Sequence, residues 1–391
     1  MKLQVLVTDT APLYPPLWGG PKRIWGLYSN FSQDLFDITY VGVKPGLRNG
    51  SRYSFNKIRD NFREILCALP AHYYFWYAFE KMAFRGTSLD LFTYLWMRTD
   101  WHFKYALNSQ NADILICSHP WPALCVNKNN NQFFIYDAHN CEYLLMDRIL
   151  GKHMLKKFVL RQVKKIEGAA CRKSDLILVC SEKEKQSFID LYKVNENKII
   201  IVPNGANIRE EIEEKSREDR TVIFIGAYYK PNIDAARFII KELAPRLKEF
   251  KFLIVGTVFD AFRTEKIPGN LKFLGKVSDE ELGAALKASD IAIHPMFDGS
   301  GINIKMLDYM SYGLPIVTTQ IGARGIESKG KQPMVISAID KFIDNIKMLN
   351  SDSVLYKRLS EDGRSLAAER YDWVKISNSL QDVILDKLRV K

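Results

Sequence analysis

Short runs of apolar, mostly β-branched residues alternate with longer segments of helical periodicity along almost the whole chain. Uniformly apolar strands that are separated by helices are typical of parallel sheets covered on both faces. In the first half we predict strands at Leu3–Val7, Ile38–Val43, Ile114–Cys117, Phe133–Tyr136, Leu176–Cys180 and Ile199–Val202. In the second half we predict them at Val222–Ile225, Phe252–Val255, Leu271–Leu274, Ile291–His294, Ile316–Thr318 and Met334–Ile336. The pattern therefore predicts an α/β chain with doubly wound sheets.

The length and one charged segment predict where this series divides. A chain of 391 residues is too long for one ordinary core. The strand series restarts after residue 205, and the charged residues 209–215 that follow are typical of a solvated helix or a linker. We predict one domain at 1–204, a second at 205–370 and a C-terminal helix at 371–391 that packs back towards the first domain. Residues 353–388 have the pattern of two helices.

Composition restricts the location and the partners. No apolar run approaches the roughly 20 residues of a membrane-spanning helix, and the N-terminus lacks the pattern of a signal peptide. The six cysteines show no metal-ligand spacing and predict buried free thiols in a reducing compartment, the cytoplasm. The net charge of +11 indicates an acidic partner, which could be nucleic acid, a phosphorylated ligand or an anionic membrane. Nucleic acid fits least, because the positive charge is scattered.

The segment 298–317 carries the strongest chemical signal. It follows the strand that ends near His294, passes through a Gly/Ser turn and opens a helix near Ile302. Such a turn leaves backbone N–H groups unpaired at the positive end of the helix dipole, where phosphate is their natural partner. We therefore predict that Ser300, Gly301 and Ile302 bind a phosphate.

Two charged side chains lie just inside this predicted helix. Lys305 could neutralise the phosphate, while Asp308, three residues further on, would project from the same face and accept hydrogen bonds from ribose hydroxyls. Alternatively, the two residues form a surface ion pair worth at most about 0.5 kcal/mol. The glycine turn in front of them favours a site for a nucleoside diphosphate.

This segment resembles the donor-site signature of the family 4 retaining glycosyltransferases, which have the GT-B fold. The resemblance extends through nearly the whole chain, at residues 203–205, 226–235, 274–278, 288–291 and 371–373. It implies two Rossmann-like domains that face each other across a cleft, the first binding the acceptor and the second the nucleotide-sugar donor. Many members carry two glutamates eight residues apart. Here Ser300 replaces the first and Asp308 the second, which shortens the reach to ribose by one methylene group.

The resemblance also implies roles for residues outside this segment. His139, at the end of a predicted strand, would lie beside the transferred sugar, although an isolated histidine is more often structural. Gly20 belongs to a glycine loop that would lie against the donor phosphates and the acceptor, although a plain tight turn fits the same residues. His119 has a similar but weaker placement, and we interpret it as structural.

Three further donor-site residues are implied by the second half of the resemblance. Gly226 and Lys230 belong to the loop after the first strand of the second domain, where Lys230 would add a positive charge near the diphosphate. Val277 matches the loop whose backbone holds the nucleobase. Residues 61–107 are rich in aromatic side chains, have helical spacing and show no clear strand. They form either an insertion with its own packing or a wall for a lipid-like or aromatic-stacked sugar acceptor.

The expected function is therefore transfer of a sugar, of the hexosyl type, from a nucleoside diphosphate sugar to a hydroxyl of a glycan, polysaccharide or lipid-linked precursor. The family implies retention of configuration, and we expect no metal and no cofactor, because neither an Asp-x-Asp motif suited to a metal-bridged diphosphate nor a histidine cluster occurs. A basic stripe on residues 152–165 is either a solvated helix face or a contact to an anionic membrane on the inner face of the cell. The alternatives are a non-catalytic binding subunit of the same fold and a nucleotide-sugar epimerase. A nicotinamide-dependent dehydrogenase is excluded because no G-x-G-x-x-G follows a strand.

Overall fold

The computed structural model describes residues 2–44, 51–84, 97, 99–208, 220–298 and 303–390. It divides into two compact units. One unit comprises Met1–Pro203 together with Ile376–Lys391, and the other comprises Asn204–Lys375. The chain thus returns to its first unit at its C-terminal end.

The first unit is built on a sheet that has eight strands among the described residues, in the order β3-β4-β2-β1-β5-β6-β7-β8. Neighbouring strands are parallel, except for the antiparallel pair β3 and β4. The strands are β1 (Leu3–Thr8), β2 (Phe36–Lys44), β3 (Tyr53–Arg59), β4 (Phe62–Ala68), β5 (Ile114–Ser118), β6 (Phe133–Ala138), β7 (Leu176–Val179) and β8 (Ile199–Ile201).

The second unit is built on a sheet that has six strands in the described part of the chain, in the order β11-β10-β9-β12-β13-β14, all parallel. They are β9 (Thr221–Ile225), β10 (Lys251–Val255), β11 (Leu271–Gly275), β12 (Ile291–His294), β13 (Ile316–Thr318) and β14 (Met334–Ile336). The strand order reverses between β9 and β12, and it is at such a switch point that doubly wound sheets bind ligands. Every strand predicted from the sequence is present, and the predicted α/β fold class with two Rossmann-like domains is confirmed.

Helices cover both sheets. Those of the first half are α1 (Gly19–Tyr28), α2 (Ala71–Ala83), α3 (Trp101–Asn108), α4 (Glu142–Leu150), α5 (Lys156–Lys173) and α6 (Glu182–Tyr192). Those of the second half include α7 (Lys230–Phe238), α8 (Asp279–Lys287), α9 (Ile304–Ser311), α10 (Phe342–Ser351), α11 (Ser353–Arg370) and α12 (Trp373–Val390). The two helices predicted at 353–388 are thus confirmed, while the charged residues 209–215, predicted as a linker, lie outside the described residues.

The prediction that residues 61–107 contain no clear strand is wrong at its start. Strand β4 lies there, pairs in parallel with β2 and carries β3 on its other side. The charged residues of β4 concealed it in the sequence, although Glu64 is completely buried and binds the backbone of a distant segment. Its Oε1 accepts hydrogen bonds from the N–H groups of Leu13 at 2.8 Å and Tyr14 at 3.2 Å.

The predicted burial of the cysteines as free thiols is confirmed. All six are buried and none forms a disulfide. Burial raises the pKa of the Cys67 thiol to about 12, so this thiol stays protonated at neutral pH. Among the described residues, none of the helices is long and apolar enough to cross a bilayer.

Candidate functional site

In the first unit, three polar residues meet where the strands β1, β5 and β6 end. Asp9 follows β1, His119 follows β5 and His139 follows β6. Nδ1 of His119 lies 2.9 Å from Oδ1 of Asp9, and the centroids of the two imidazole rings are 4.4 Å apart. His119 has a φ of 67°, an uncommon backbone conformation for a residue with a side chain. We call these three residues the histidine cluster.

A buried ion pair supports this cluster from below. Oδ1 of Asp137 accepts hydrogen bonds from Nε of Arg23 at 3.0 Å and from Nη2 at 2.8 Å, and Oδ2 accepts one from the Tyr28 hydroxyl at 3.1 Å. Arg23 also donates from Nη1 to the carbonyl oxygen of Val202 at 2.9 Å. Burial by itself would raise the pKa of Asp137, but the Arg23 guanidinium and the neighbouring His139 hold it well below its usual range. The carboxylate therefore stays charged at neutral pH and fixes α1 against the end of β6.

His139 is held close to this carboxylate in its neutral form. Burial and the neighbouring His119 lower the pKa of His139, and Asp137 opposes this shift. Nε2 of His139 lies 3.5 Å from Oδ2 of Asp137, and it makes no well-aligned hydrogen bond to any residue that the structure describes. A neutral imidazole suits hydrogen bonding to a sugar hydroxyl better than the role of an ion-pair partner.

Gly20 faces the two imidazole rings from the start of α1. A Cβ atom built on Gly20 would lie 3.7 Å from Nδ1 of His139 and 3.9 Å from Cε1 of His119. These are ordinary van der Waals distances, and the φ of Gly20 is not in the left-handed region. Neither packing nor backbone geometry therefore requires a glycine here, so the tight-turn interpretation loses its physical basis. The missing side chain leaves space in front of His139.

In the second unit, Lys305 lies in the first turn of α9, beside the switch point between β9 and β12. Its Nζ donates a hydrogen bond to Oδ1 of Asn232 at 2.8 Å and lies 5.3 Å from the ring centroid of Phe224. Burial lowers the pKa of the ammonium to about 7, against the opposing effect of Asp308. The ammonium thus contacts a neutral amide and an aromatic face, and an arriving anion would stabilise its charge.

His294, the last residue of β12, contacts the same aromatic ring. Its ring stacks with that of Phe224 at a centroid distance of 6.3 Å, and its side chain is fully buried. Burial, together with the charge of Lys305, lowers the pKa of His294 well below its ordinary value. Lys305 is thus the group that can carry charge at this point, and His294 stays neutral.

Gly226 follows β9 and packs against Phe224 and Asn232, the two residues that contact Lys305. A Cβ atom built on Gly226 would lie 2.9 Å from Phe224 Cε1 and 3.3 Å from Cβ of Asn232. A side chain at 226 would thus press on both residues that contact Lys305. Gly226 is therefore required by packing, and through packing it determines where the ammonium is placed.

The other predicted donor-site residues are placed differently. Lys230 is 83% exposed at the start of α7 and forms an ion pair with Asp234 at 2.7 Å. Val277 follows β11 and packs against the buried core of the second unit. Asp308 lies one turn after Lys305 on α9, partly buried. Ser300, Gly301 and Ile302 lie outside the described residues, so their predicted contact with phosphate stays a prediction.

Three functional candidates did not come from the sequence. The sequence favours a structural role for His119, yet its ring contacts that of His139. The available signal was that β5 and β6 are consecutive predicted strands, whose carboxyl ends meet at one edge of a parallel sheet. Arg23 and Asn232 gave no signal of their own, because their partners are 114 and 73 residues away along the chain. In the described part of the chain, no three His, Cys, Asp or Glu side chains are grouped so that they could hold a metal ion.

Comparison with known families now bears on this geometry. A family model described as "Glycosyltransferase Family 4" matches residues 73–210, and one described as "Glycosyl transferases group 1" matches residues 219–352. Together they span more than half of the chain, one on each unit.

Relatives and solved structures agree with these models. The chain is 28% identical over 231 residues to an uncharacterized glycosyltransferase of Methanocaldococcus jannaschii, covering 52% of this chain and 56% of the relative. It is 25% identical over 197 residues to a phosphatidyl-myo-inositol mannosyltransferase of Mycobacterium leprae, covering 46% of this chain and 52% of the relative. The chain therefore spans about half the length of the curated relatives that it matches.

The structural likeness extends over both units. A sucrose-phosphate synthase from Thermosynechococcus elongatus superposes with a TM-score of 0.76 at 10% identity, covering 100% of both chains. A glycosyltransferase involved in lipopolysaccharide biosynthesis superposes with a TM-score of 0.67 at 16% identity, covering 97% of this chain and 99% of the other. At these identities the structural likeness shows the fold alone, and the family is shown by the two family models. The chain belongs to the family 4-like glycosyltransferases with the GT-B fold.

Proposed function

We propose that this protein transfers a sugar from a nucleoside diphosphate sugar to a hydroxyl acceptor, with retention of anomeric configuration and without a metal ion. The observation that carries the proposal is Lys305, whose pKa is lowered to about 7 and whose Nζ contacts the Asn232 amide. Doubly wound sheets bind ligands where this side chain lies, at the carboxyl ends of the strands next to the switch point. Its closest contacts are a neutral amide and an aromatic ring, so a diphosphate is the partner we expect for its charge.

The chemistry requires stabilisation of charge on the leaving diphosphate. Lys305 would stabilise the negative charge that develops on the β-phosphate, and the backbone amides of Ser300 and Gly301 would add hydrogen bonds. Preorganised donors of this kind act electrostatically and need no rearrangement during the reaction. Asp308 would accept hydrogen bonds from the ribose, Val277 would lie beside the base, and Lys230 would add charge at the rim of the site.

In the first unit, the histidine cluster suits the transferred sugar and the acceptor. The neutral His139 would orient the sugar through hydroxyl hydrogen bonds, and Gly20 leaves space for it beside the ring. Burial and the nearby Asp137 carboxylate, 3.5 Å from Nε2, hold this imidazole in place, which favours orientation of the substrate rather than nucleophilic attack.

Related proteins support the substrate class. A structurally similar protein from Anabaena, with a TM-score of 0.64 and 13% identity over 98% of this chain, was solved with UDP-glucose. The mycobacterial relative is named for mannosyl transfer to phosphatidyl-myo-inositol. On this basis we propose a nucleotide-sugar donor and a glycan, polysaccharide or lipid-linked acceptor.

The test is Lys305→Ala, with Lys287→Ala as the matched control because Lys287 is an exposed lysine on α8 of the same unit. Purified protein is screened for thermal stabilisation by UDP, GDP, ADP and dTDP sugars. Release of the nucleoside diphosphate from the binding donor is then measured without acceptor. We expect Lys305→Ala to lower this rate by about a hundredfold, the effect of removing one donor from an oxyanion site. An unchanged rate would remove Lys305 from the mechanism.

The same screen separates the alternatives. A binding subunit would be stabilised by a donor but would release no nucleoside diphosphate from any of them. An epimerase would convert the sugar while it stays attached to the nucleotide. Once an acceptor is found, NMR of the product's anomeric proton tests retention directly.

A further inference from the structure

Helix α2 in the first unit exposes its apolar side chains and buries its acid. Phe75 is 68% and Met82 75% exposed, whereas Glu80 on the opposite face is 1% exposed. Tyr74, Trp76 and Phe79 are also exposed, at 41–44%. A helix on the surface of a soluble protein normally has the reverse arrangement. Contiguous exposed apolar groups of this size are typical of interaction sites.

A second segment combines exposed apolar and basic side chains. At the start of α5 and just before it, Met154 is 89%, Leu155 41% and Phe158 59% exposed. Residues 151–166 contain six cationic side chains and no acidic one. The cations are Lys152, Lys156, Lys157, Arg161, Lys164 and Lys165. The apolar face of this helix packs on the core through Val159 and Val163. Lys156 is partly buried and pairs with Asp147 at 2.9 Å, and the other five cations remain exposed.

Direct contacts join the two segments. Nε2 of His153 lies 3.1 Å from the carbonyl oxygen of Ala83, the last residue of α2. The rings of His153 and Phe84 have a centroid distance of 4.8 Å. The end of α2 and the start of α5 are therefore neighbours, and we call residues 74–82 together with 152–165 the apolar–basic surface.

We propose that the apolar–basic surface docks the protein on an anionic lipid bilayer. Tyr and Trp favour the headgroup level of a bilayer. Phe and Met beside them can reach deeper, to the boundary with the acyl chains. Cations beside them are attracted by anionic headgroups, and stable peripheral binding needs two such signals together. A second copy of the chain fits this surface less well, because the like charges of the two basic segments would face each other. This proposal does not depend on the activity proposed above.

Two pairs of variants test the proposal in the full chain. Phe75→Ser with Met82→Ser removes the apolar contact, and its control is Val354→Ser, a residue that is 79% exposed on α11 of the second unit. Lys157→Glu with Arg161→Glu reverses two charges, and its control, Lys248→Glu with Lys266→Glu, changes the net charge equally at exposed sites of the second unit. Binding is measured by co-sedimentation with phosphatidylcholine vesicles, with and without phosphatidylglycerol.

We expect binding only when phosphatidylglycerol is present, and weaker binding at high salt. Each double variant of the apolar–basic surface should weaken it at least about tenfold, because the apolar and the charged contributions are both needed. The controls and Lys305→Ala should bind as the wild type does, and circular dichroism should show that all variants are folded. The proposal is overturned if the wild type ignores phosphatidylglycerol vesicles, or if the controls lose binding equally. It is also overturned if size-exclusion chromatography shows a dimer that the same variants dissociate while vesicle binding is absent.

Discussion

Lys305 is held close to the point at which its ammonium loses a proton at neutral pH. Its pKa of about 7 results from burial, and an arriving diphosphate would raise that pKa again because an opposite charge favours the charged form. Donor binding at pH 7 should therefore take up about half a proton, since a group at its pKa is half protonated.

Calorimetry in buffers of different ionisation enthalpy measures this uptake, and a sugar nucleotide itself has no group that titrates near pH 7. Lys305→Met keeps most of the side-chain volume and should abolish the uptake while weakening binding. If the variant takes up as many protons as the wild type, the titrating group is another residue.

The buried Arg23–Asp137 ion pair stabilises the first unit beneath the histidine cluster. Both side chains are almost completely buried, so Arg23→Met would leave a charge without its partner and should lower the free energy of unfolding by about 3–5 kcal/mol. The matched control is Arg63→Met, whose partner Asp37 lies 3.0 Å away at the surface. There the expected loss is below about 1 kcal/mol. Urea denaturation, followed by tryptophan fluorescence, measures both losses of unfolding free energy. Equal losses would contradict the expected difference between the buried and the surface pair.

The same pair determines a pH dependence. Because the pKa of Asp137 is lower in the folded than in the unfolded protein, its stabilising contribution is fully present above about pH 4. This contribution is lost as the pH falls further through the folded pKa.

At the scale of elements, a substitution at the start of α1 tests whether a substrate uses the space beside His139. Gly20→Ala should fold normally, because its methyl group meets only ordinary contacts and alanine favours a helix over glycine by about 0.5–1 kcal/mol. The methyl group would nevertheless fill the space beside Nδ1 of His139. We expect an unchanged or higher melting temperature together with a clear loss of donor turnover.

Gly363→Ala on α11 is the matched control. Its added Cβ would also meet only ordinary contacts, the closest at 3.5 Å to Cγ of Met310. It should therefore change neither the turnover nor the fold. If Gly20→Ala retains full turnover, the space in front of His139 is not used by a substrate.

Regular secondary structure was predictable because its signal is local. Most strands of both sheets are short apolar runs bounded by polar residues, so period and composition located them without knowledge of their partners. Strand β3 escaped because polar residues make up most of it, and β4 escaped because Arg63 and Glu64 interrupt its apolar run. Glu64 suits this strand because it accepts hydrogen bonds from the N–H groups of Leu13 and Tyr14, which lie about 50 residues away in the sequence.

The candidate site was predictable only in part, for the same physical reason. Lys305 and His139 follow strands and stand in recognisable motifs, so the sequence indicated them. The partners that define their chemistry, Asn232 and His119, are brought to them by the order of strands in the sheets. That order is a long-range property, and no local pattern expresses it.

At the scale of the whole molecule, the first unit depends on both ends of the chain. Ser377 Oγ on α12 donates a hydrogen bond to the carbonyl oxygen of Leu27 on α1 at 2.6 Å. The side-chain oxygen of Gln381 accepts one from the N–H of Ser32 at 2.7 Å. Leu380 and Ile384 are 2% and 0% exposed. The end of α12 therefore supports α1, the helix that carries Gly20 and Arg23.

This support predicts a unit-specific effect of a single substitution far from the candidate site. Ile384→Ala removes buried methyl and methylene groups and should cost about 2–5 kcal/mol locally. Because the change acts through α12, amide hydrogen exchange should accelerate in α1 and in the sheet β1–β8, but not in the sheet β9–β14. Val374→Ala, half exposed at the other end of the same helix, should leave exchange unchanged in both units. Equal acceleration in both sheets would contradict this prediction, because it would mean that the two units unfold together.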